Sequence, residues 1–293
     1  MDSIIRLSPR CIACLLSKHM HAWPEGTPQQ TQIEYMQRLL RLIADAPASW
    51  GAPVLVSRIK KLRGEMFGYR EDFEAVKVHF NRLMLTREEE ISRRILAAPD
   101  PLMCAVEYAM IGNYIDFGAL SNVEEDALDD LLSRPEDFAP DAAEYAALRE
   151  GLEGARHLAY LTDNCGEIVL DKLFIRTLLR LYPQLQITII VRGAPVLNDA
   201  TPEDAKAVGL NDIVPVIGNG SDVAGTHLEE LSPQAREFID RADLIIAKGQ
   251  ANHETMRHCG KNVFYLFLCK CDLFAERFGL PKFSGVLIHD SRC

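Results

Sequence analysis

Between residues 157 and 268 the chain repeats one pattern: a short apolar run followed by a stretch of helical character. The runs fall at 157–162, 186–191, 213–217, 243–247 and 262–268. Strands and helices alternating at this length predict an α/β fold with a parallel, doubly wound sheet. The starts of two intervening helices are legible. Thr201-Pro202-Glu203-Asp204 supplies a capping hydroxyl, a proline for the first turn and acids near the positive helix end, and Ser232-Pro233-Gln234 repeats that logic.

The first half reads as helical. Tyr35, Leu39, Leu40, Leu42 and Ile43 recur with helical spacing, as do Phe73, Val76, Phe80, Leu83 and Met84. Pro99 and Pro101 separate two helices, and residues 123–133 and 141–150 form two acidic ones. The charged stretch 87–94 reads as a solvated helix face. The expected organisation is therefore a helical region over 1–152 packed on a Rossmann-like α/β/α domain over 153–293.

Ligands of such sheets bind beyond the carboxyl ends of the strands. Strand one ends at Asp163-Asn164, just before a helix that starts near Glu167. Strand two ends at Arg192-Gly193 and leads to Asn198-Asp199. Strand three leads to Gly218-Asn219-Gly220-Ser221-Asp222, and strand four ends at Lys248-Gly249-Gln250. Asp163, Asn164 and Asp199 supply two anionic and one neutral oxygen ligand, which favours Mg or Mn, with Co or Ni possible. A cation there would polarise a phosphoryl group and acidify its bound water. Lys248 is placed to neutralise phosphate oxygens, and the Gly220-Ser221 turn to offer backbone N–H groups. Glu167 is a candidate base, or an acid at a helix start. The plainer alternatives are a helix cap for the Asp-Asn pair, a turn residue for Asp199 and a solvated loop lysine for Lys248.

The net charge of −10, from 32 basic and 42 acidic residues, argues against a surface that coats nucleic acid. No apolar run is long enough to span a bilayer and the first residues do not form a signal peptide, which predicts a cytosolic protein. The eight cysteines are scattered, so reduced thiols are the expectation. Cys11-Ile12-Ala13-Cys14 has metal or redox spacing, and Cys269, Cys271, His19 or His21 could complete a zinc set. A pair of reduced helix thiols is the favoured reading. Familiar catalytic motifs are missing: GxGxxG, the P-loop, HExxH and GxSxG do not occur. Position 165 is Cys where an aspartyl-phosphate phosphatase needs a second Asp. Asp171 stands where a cysteine-phosphatase loop needs Arg.

Taken together, the blocks resemble the damage-control phosphatases, first catalogued as domain of unknown function 89. They are 162–172 (TDNCGEIVLDK), 112–118 (GNYIDFG), 191–204 (VRGAPVLNDATPED), 245–250 (IIAKGQ) with Glu254-Thr255, and Lys270-Cys271. The N-terminal CIAC resembles the stand-alone microbial subgroup. The resemblance implies metal-dependent hydrolysis of small phosphorylated metabolites, with sugar phosphates preferred. It puts metal ligands at Asp163, Asn164 and Asp199, a phosphate-contacting lysine at Lys248, and Asn113 and Asp116 reaching the site from the helical side. Asn198 joins the expected substrate contacts. His253 stands where an aromatic residue is common in the family. Two rivals remain: a carboxyl methyltransferase using S-adenosylmethionine, also proposed within the family, and a non-catalytic phosphometabolite sensor. The physiological substrate and the oligomeric state are not legible.

Overall fold

The computed structural model describes residues 6–68, 71–118 and 123–293. Seven helices come first: α1 (Pro9–His19), α2 (Gln29–Ala44), α3 (Ala52–Phe67), α4 (Glu74–Ala97), α5 (Pro101–Gly112), α6 (Glu125–Ser133) and α7 (Ala142–Gly154). The chain then alternates: β1 (His157–Leu161), α8 (Glu167–Leu181), β2 (Gln186–Val191), α9 (Pro202–Ala207), β3 (Val216–Gly218), α10 (Pro233–Arg241), β4 (Leu244–Lys248), α11 (Gly249–Met256), β5 (Val263–Leu268), α12 (Asp272–Phe278) and β6 (Gly285–His289).

Local chemistry sets several of these starts. Asp100 accepts the amides of Leu102 and Met103 at the head of α5, with Pro101 in the first turn. Thr201 and Asp204 form a reciprocal capping box on α9, and Ser232 caps α10. Both α9 and α10 begin where the sequence says they should.

The sheet order is β3-β2-β1-β4-β5-β6. Strands β1 to β5 are parallel, and β6 is antiparallel to β5. The strand order reverses between β1 and β4, and this switch point opens a crevice at their carboxyl ends. The mostly parallel α/β architecture agrees with the sequence reading, but β6 was not anticipated. The third strand is also shorter than its apolar run, because residues 210–212 close a 3₁₀ turn first.

Alternate strand residues feed two cores. Leu158, Tyr160, Ile189, Ile246 and Leu266 pack under α4, α5, α7 and α8. Leu161, Ile190, Ile245 and Tyr265 pack against Ile239 of α10, Met256 of α11 and Phe274 of α12. A third cluster, including Tyr35, Leu39, Leu55 and Ile59, holds α1 to α3 together. The first core contains Phe80, Met84 and Tyr108 as well as sheet residues, so it runs continuously across the expected 152/153 boundary. Each such buried side chain contributes about 1.5–3 kcal/mol. Nearly every residue of α5 from Cys104 to Gly112 is buried, because the helix lies between α8 and the strands β5 and β6. The residue that caps its C-terminus, Asn113, is thereby pushed into the switch-point crevice. Among the described residues, no helix is long and apolar enough to cross a membrane.

Candidate active site

Two loops meet above the switch point. The loop after β1 carries Asp163 and Asn164, and the loop after β2 carries Asn198 and Asp199. Backbone bonds join them: Cys165 N–H donates to Asn198 O at 2.8 Å and Ala200 N–H to Asp163 O at 2.8 Å. Asn164 and Asp199 form an isolated antiparallel bridge. Neither Asp163 nor Asn164 caps α8, whose N-cap is Gly166. Both side chains are therefore available for other work.

Asp163 is 4% exposed and Asp199 3%. Asp163 Oδ2 accepts from Asn113 Nδ2 at 3.0 Å and from Asn164 Nδ2 at 2.9 Å. Its other oxygen, Oδ1, meets Arg192 Nη2 at 3.1 Å, and Arg192 Nε meets Asp199 Oδ2 at 2.6 Å. Burial raises the pKa of Asp163 well above its ordinary value, the Asp199 and Glu167 charges add to this, and Arg192 opposes it. Burial likewise raises Asp199, against the pull of Arg192.

Below this pair lies a second buried network. Lys248, fully buried, donates to Ala109 O at 2.7 Å, Glu167 Oε1 at 2.6 Å and Asp171 Oδ1 at 2.9 Å. Those three bonds use the three N–H donors of an ammonium group. Lys248 is thus neither a solvated loop lysine nor, in this arrangement, a lysine with a donor to spare for phosphate. Burial works against its charge, but Asp171 and Glu167 outweigh that and hold its pKa above the ordinary value. Tyr160 Oη donates to Asp171 Oδ1 at 2.7 Å, while Asp171 Oδ2 is buried with no partner among the described residues. Burial pushes Asp171 up to about 6, with Lys248 pulling the other way. Glu167 accepts from Lys248, from Asn113 Nδ2 and from both the backbone and the side-chain N–H of Asn164. In this arrangement its carboxylate orients its neighbours.

The remaining expected residues fall around this centre. Asn113 reaches Asp163 from the helical side and accepts the amide of Leu268 on Oδ1 at 3.1 Å. Asn198 ties the loop after α5 in place, donating to Ile115 O and accepting from Phe117 N–H. Asp116 pairs with Lys270 Nζ at 2.6 Å. The Ser221 amide donates to Asn219 Oδ1 at 2.9 Å, so it is already engaged. The 219–221 turn packs against the loop after β2, where a Cβ on Gly193 would meet Gly220 N at 2.2 Å. His253 lies apart, in a box of Tyr265, Phe267, Phe274 and Phe278.

Two further charged residues belong to this centre, and the sequence reading gave neither of them a role. Arg192 was noted as a strand end and within the 191–204 block. Lys270, whose side chain is fully buried, sits at the carboxyl end of β5. The strand-end rule applied to the fifth strand as well as the first four would have found it. Among the described residues, no three or more His, Cys, Asp or Glu side chains are grouped to hold a metal by themselves. Cys11 is half-buried, with its thiol pushed up to about 11 by burial, and Cys14 is exposed.

A doubly wound sheet with buried carboxylates and amides at its switch point defines a Rossmann-like enzyme scaffold. Residues 7–286 match the damage-control phosphatase ARMT1-like domain, and the chain belongs to that family. It is 30% identical to a damage-control phosphatase of Archaeoglobus fulgidus, over 94% of this chain and 96% of that one. It is 29% identical to an uncharacterised protein of Methanocaldococcus jannaschii, over 97% and 95%. The crystal structure of a DUF89 family protein from Pyrococcus horikoshii superposes with a TM-score of 0.76 at 26% identity, covering 97% of this chain and 98% of the other.

Proposed function

We propose that this chain is a metal-dependent phosphatase acting on small phosphate monoesters, with sugar phosphates the preferred class. A cytosolic setting, where thiols stay reduced, is part of this reading. The observation that carries it is a charge imbalance. Four buried carboxylates, Asp163, Glu167, Asp171 and Asp199, share the crevice with two buried cations, Arg192 and Lys248. Fully ionised, the group has two negative charges in excess, which a divalent cation would neutralise.

The donors present fit such a cation. Asp163 and Asp199 offer hard anionic oxygens. Asn164 commits its side-chain N–H to Asp163 and Glu167, which leaves its carbonyl as the neutral third ligand. These are ligands for Mg or Mn, with Co or Ni as substitutes. When bound, the cation supplies Lewis-acid polarisation of a phosphoryl oxygen and a water of lowered pKa. The residues of the chain do the rest. Lys248 and Glu167 lock Asn164 and Asn113 in place, so the oxygens do not reorganise during reaction. Lys270, held by Asp116, is a second positive charge that can face phosphate. Asp163 or Glu167 would assist proton transfer.

The test is phosphate release from a panel of sugar phosphates and p-nitrophenyl phosphate, after chelation and again with Mg, Mn, Co or Ni. Release restored by metal in the wild type and lost in Asp163→Asn supports the reading. No release with any metal from folded protein sinks it for that panel. Adenosylmethionine binding would then be measured.

A further inference from the structure

Among the described residues, Arg192 is the bulkiest fully buried side chain, at 1% exposure. Its guanidinium takes one oxygen from each of the two carboxylates expected to hold the cation, Asp163 Oδ1 and Asp199 Oδ2. The choice on Asp163 is forced. Oδ2 already accepts two amide N–H groups, from Asn113 and Asn164, so Oδ1 is the oxygen left for any positive charge. A cation bridging the two carboxylates and the Arg192 guanidinium therefore want the same atom.

The surroundings allow an exchange by the side chain alone. The backbone at Arg192 is pinned, its N–H to Ala200 O at 2.9 Å and the Gly193 N–H to Ser221 O and Asn219 Oδ1. The third contact of the guanidinium is neutral: Nη1 donates to Asn252 Oδ1 at 3.2 Å. Asn252 is itself fixed by Thr226 Oγ1 and by bonds to Thr162 O and Lys248 O. Arg192 thus keeps a fixed acceptor that needs no carboxylate.

Resting on the metal reading above, we propose that Arg192 is a displaceable internal counter-ion. A divalent cation at Asp163 Oδ1 would evict the guanidinium from that carboxylate. The cost of eviction lowers the metal affinity of the wild type. The freed fork, still anchored near Asn252, has the shape that grips a phosphate in two places.

Calorimetric titration of chelated protein with Mn tests this. Wild type should bind one Mn, and Asp163→Asn should bind none. Arg192→Met should bind Mn about tenfold more tightly, the gain expected if ligand oxygens are free only about a tenth of the time. Wild-type binding with an equal or weaker affinity in Arg192→Met overturns the proposal and leaves the metal reading intact. No Mn uptake by wild type removes both. If Arg192→Met does not fold, the Arg192 Nε–H resonance of wild type decides. Mg should shift it and speed its exchange with water, and an unchanged, protected signal would overturn the eviction.

Discussion

Gly249 lies directly against the Asp163 carboxylate: a Cβ on Gly249 would come within 2.0 Å of Asp163 Oδ2. Its φ of +81° also belongs to the left-handed region that favours glycine. The first residue after β4 is therefore the one type that lets the aspartate following the neighbouring strand sit where it does. Gly249→Ala should reduce metal-dependent phosphate release by about 100-fold, the scale of an ångström-sized misplacement. Assay of the purified, folded variant checks this. Retention of full activity would mean that Asp163 is not a reacting residue.

Lys248 pairs with two buried carboxylates at once. Lys248→Met leaves Glu167 and Asp171 uncompensated and should cost about 3–5 kcal/mol of stability. A solvated lysine would change stability by less than about 0.5 kcal/mol. Adding Asp171→Asn to Lys248→Met should recover part of the loss, because it removes one stranded charge. Urea denaturation of the three proteins tests the coupling, and strict additivity would refute it.

His253 has neither ring nitrogen hydrogen-bonded among the described residues. Burial, aided by Arg277 and Arg257, pushes its pKa down to about 3 from 6.5. The unfolded chain takes up this proton near pH 6.5 and the native state does not. Stability is therefore whole above that pH and drains away as pH falls toward 3. His253→Phe should stabilise by about 1 kcal/mol at pH 7 by removing the unsatisfied nitrogens. The gain should grow at pH 5. Denaturation midpoints at the two pH values check it, and a gain that shrinks at pH 5 would contradict the neutral, buried histidine.

Glu107 in α5 behaves in the opposite sense. Burial, then Glu136 and Asp100, push its pKa up to about 7 from 4.5. Between these values the native state holds the proton and the unfolded state has lost it, so stability falls as pH rises through the window. Glu107→Gln should remove this slope, gaining on the order of 1 kcal/mol at pH 8 and little at pH 4. A gain equal at both pH values would mean that Glu107 is ionised throughout.

How much of this was legible follows from what each residue type announces. Apolar runs between helix starts declared β1, β2, β4 and β5. β6 is an antiparallel edge strand with only Val286 and Leu287 buried, so its five residues carry no comparable run. At the site, Asp163, Asn164 and Asp199 stood out because they fall together at strand ends; a helix cap or a turn would account for each one taken alone. The partners of Lys248 were not visible, since a sequence does not say that its donors meet Ala109, Glu167 and Asp171. Arg192 was hidden for the same reason: its meaning lies in what its guanidinium bridges. CIAC remains a motif whose purpose the structure does not explain.

Asn113 joins Asp163 on one side and the amide of Leu268, 155 residues further along the chain, on the other. During synthesis, the helices that carry Asn113 emerge long before β5 exists. The crevice is therefore complete only when the fifth strand sits against the end of α5. A chain lacking β5 can hold every helix of the first half and still lack the amide that orients Asn113. The surroundings of Asp163 thus depend on residues from both ends of the described fold, and Asn113 is the link between them.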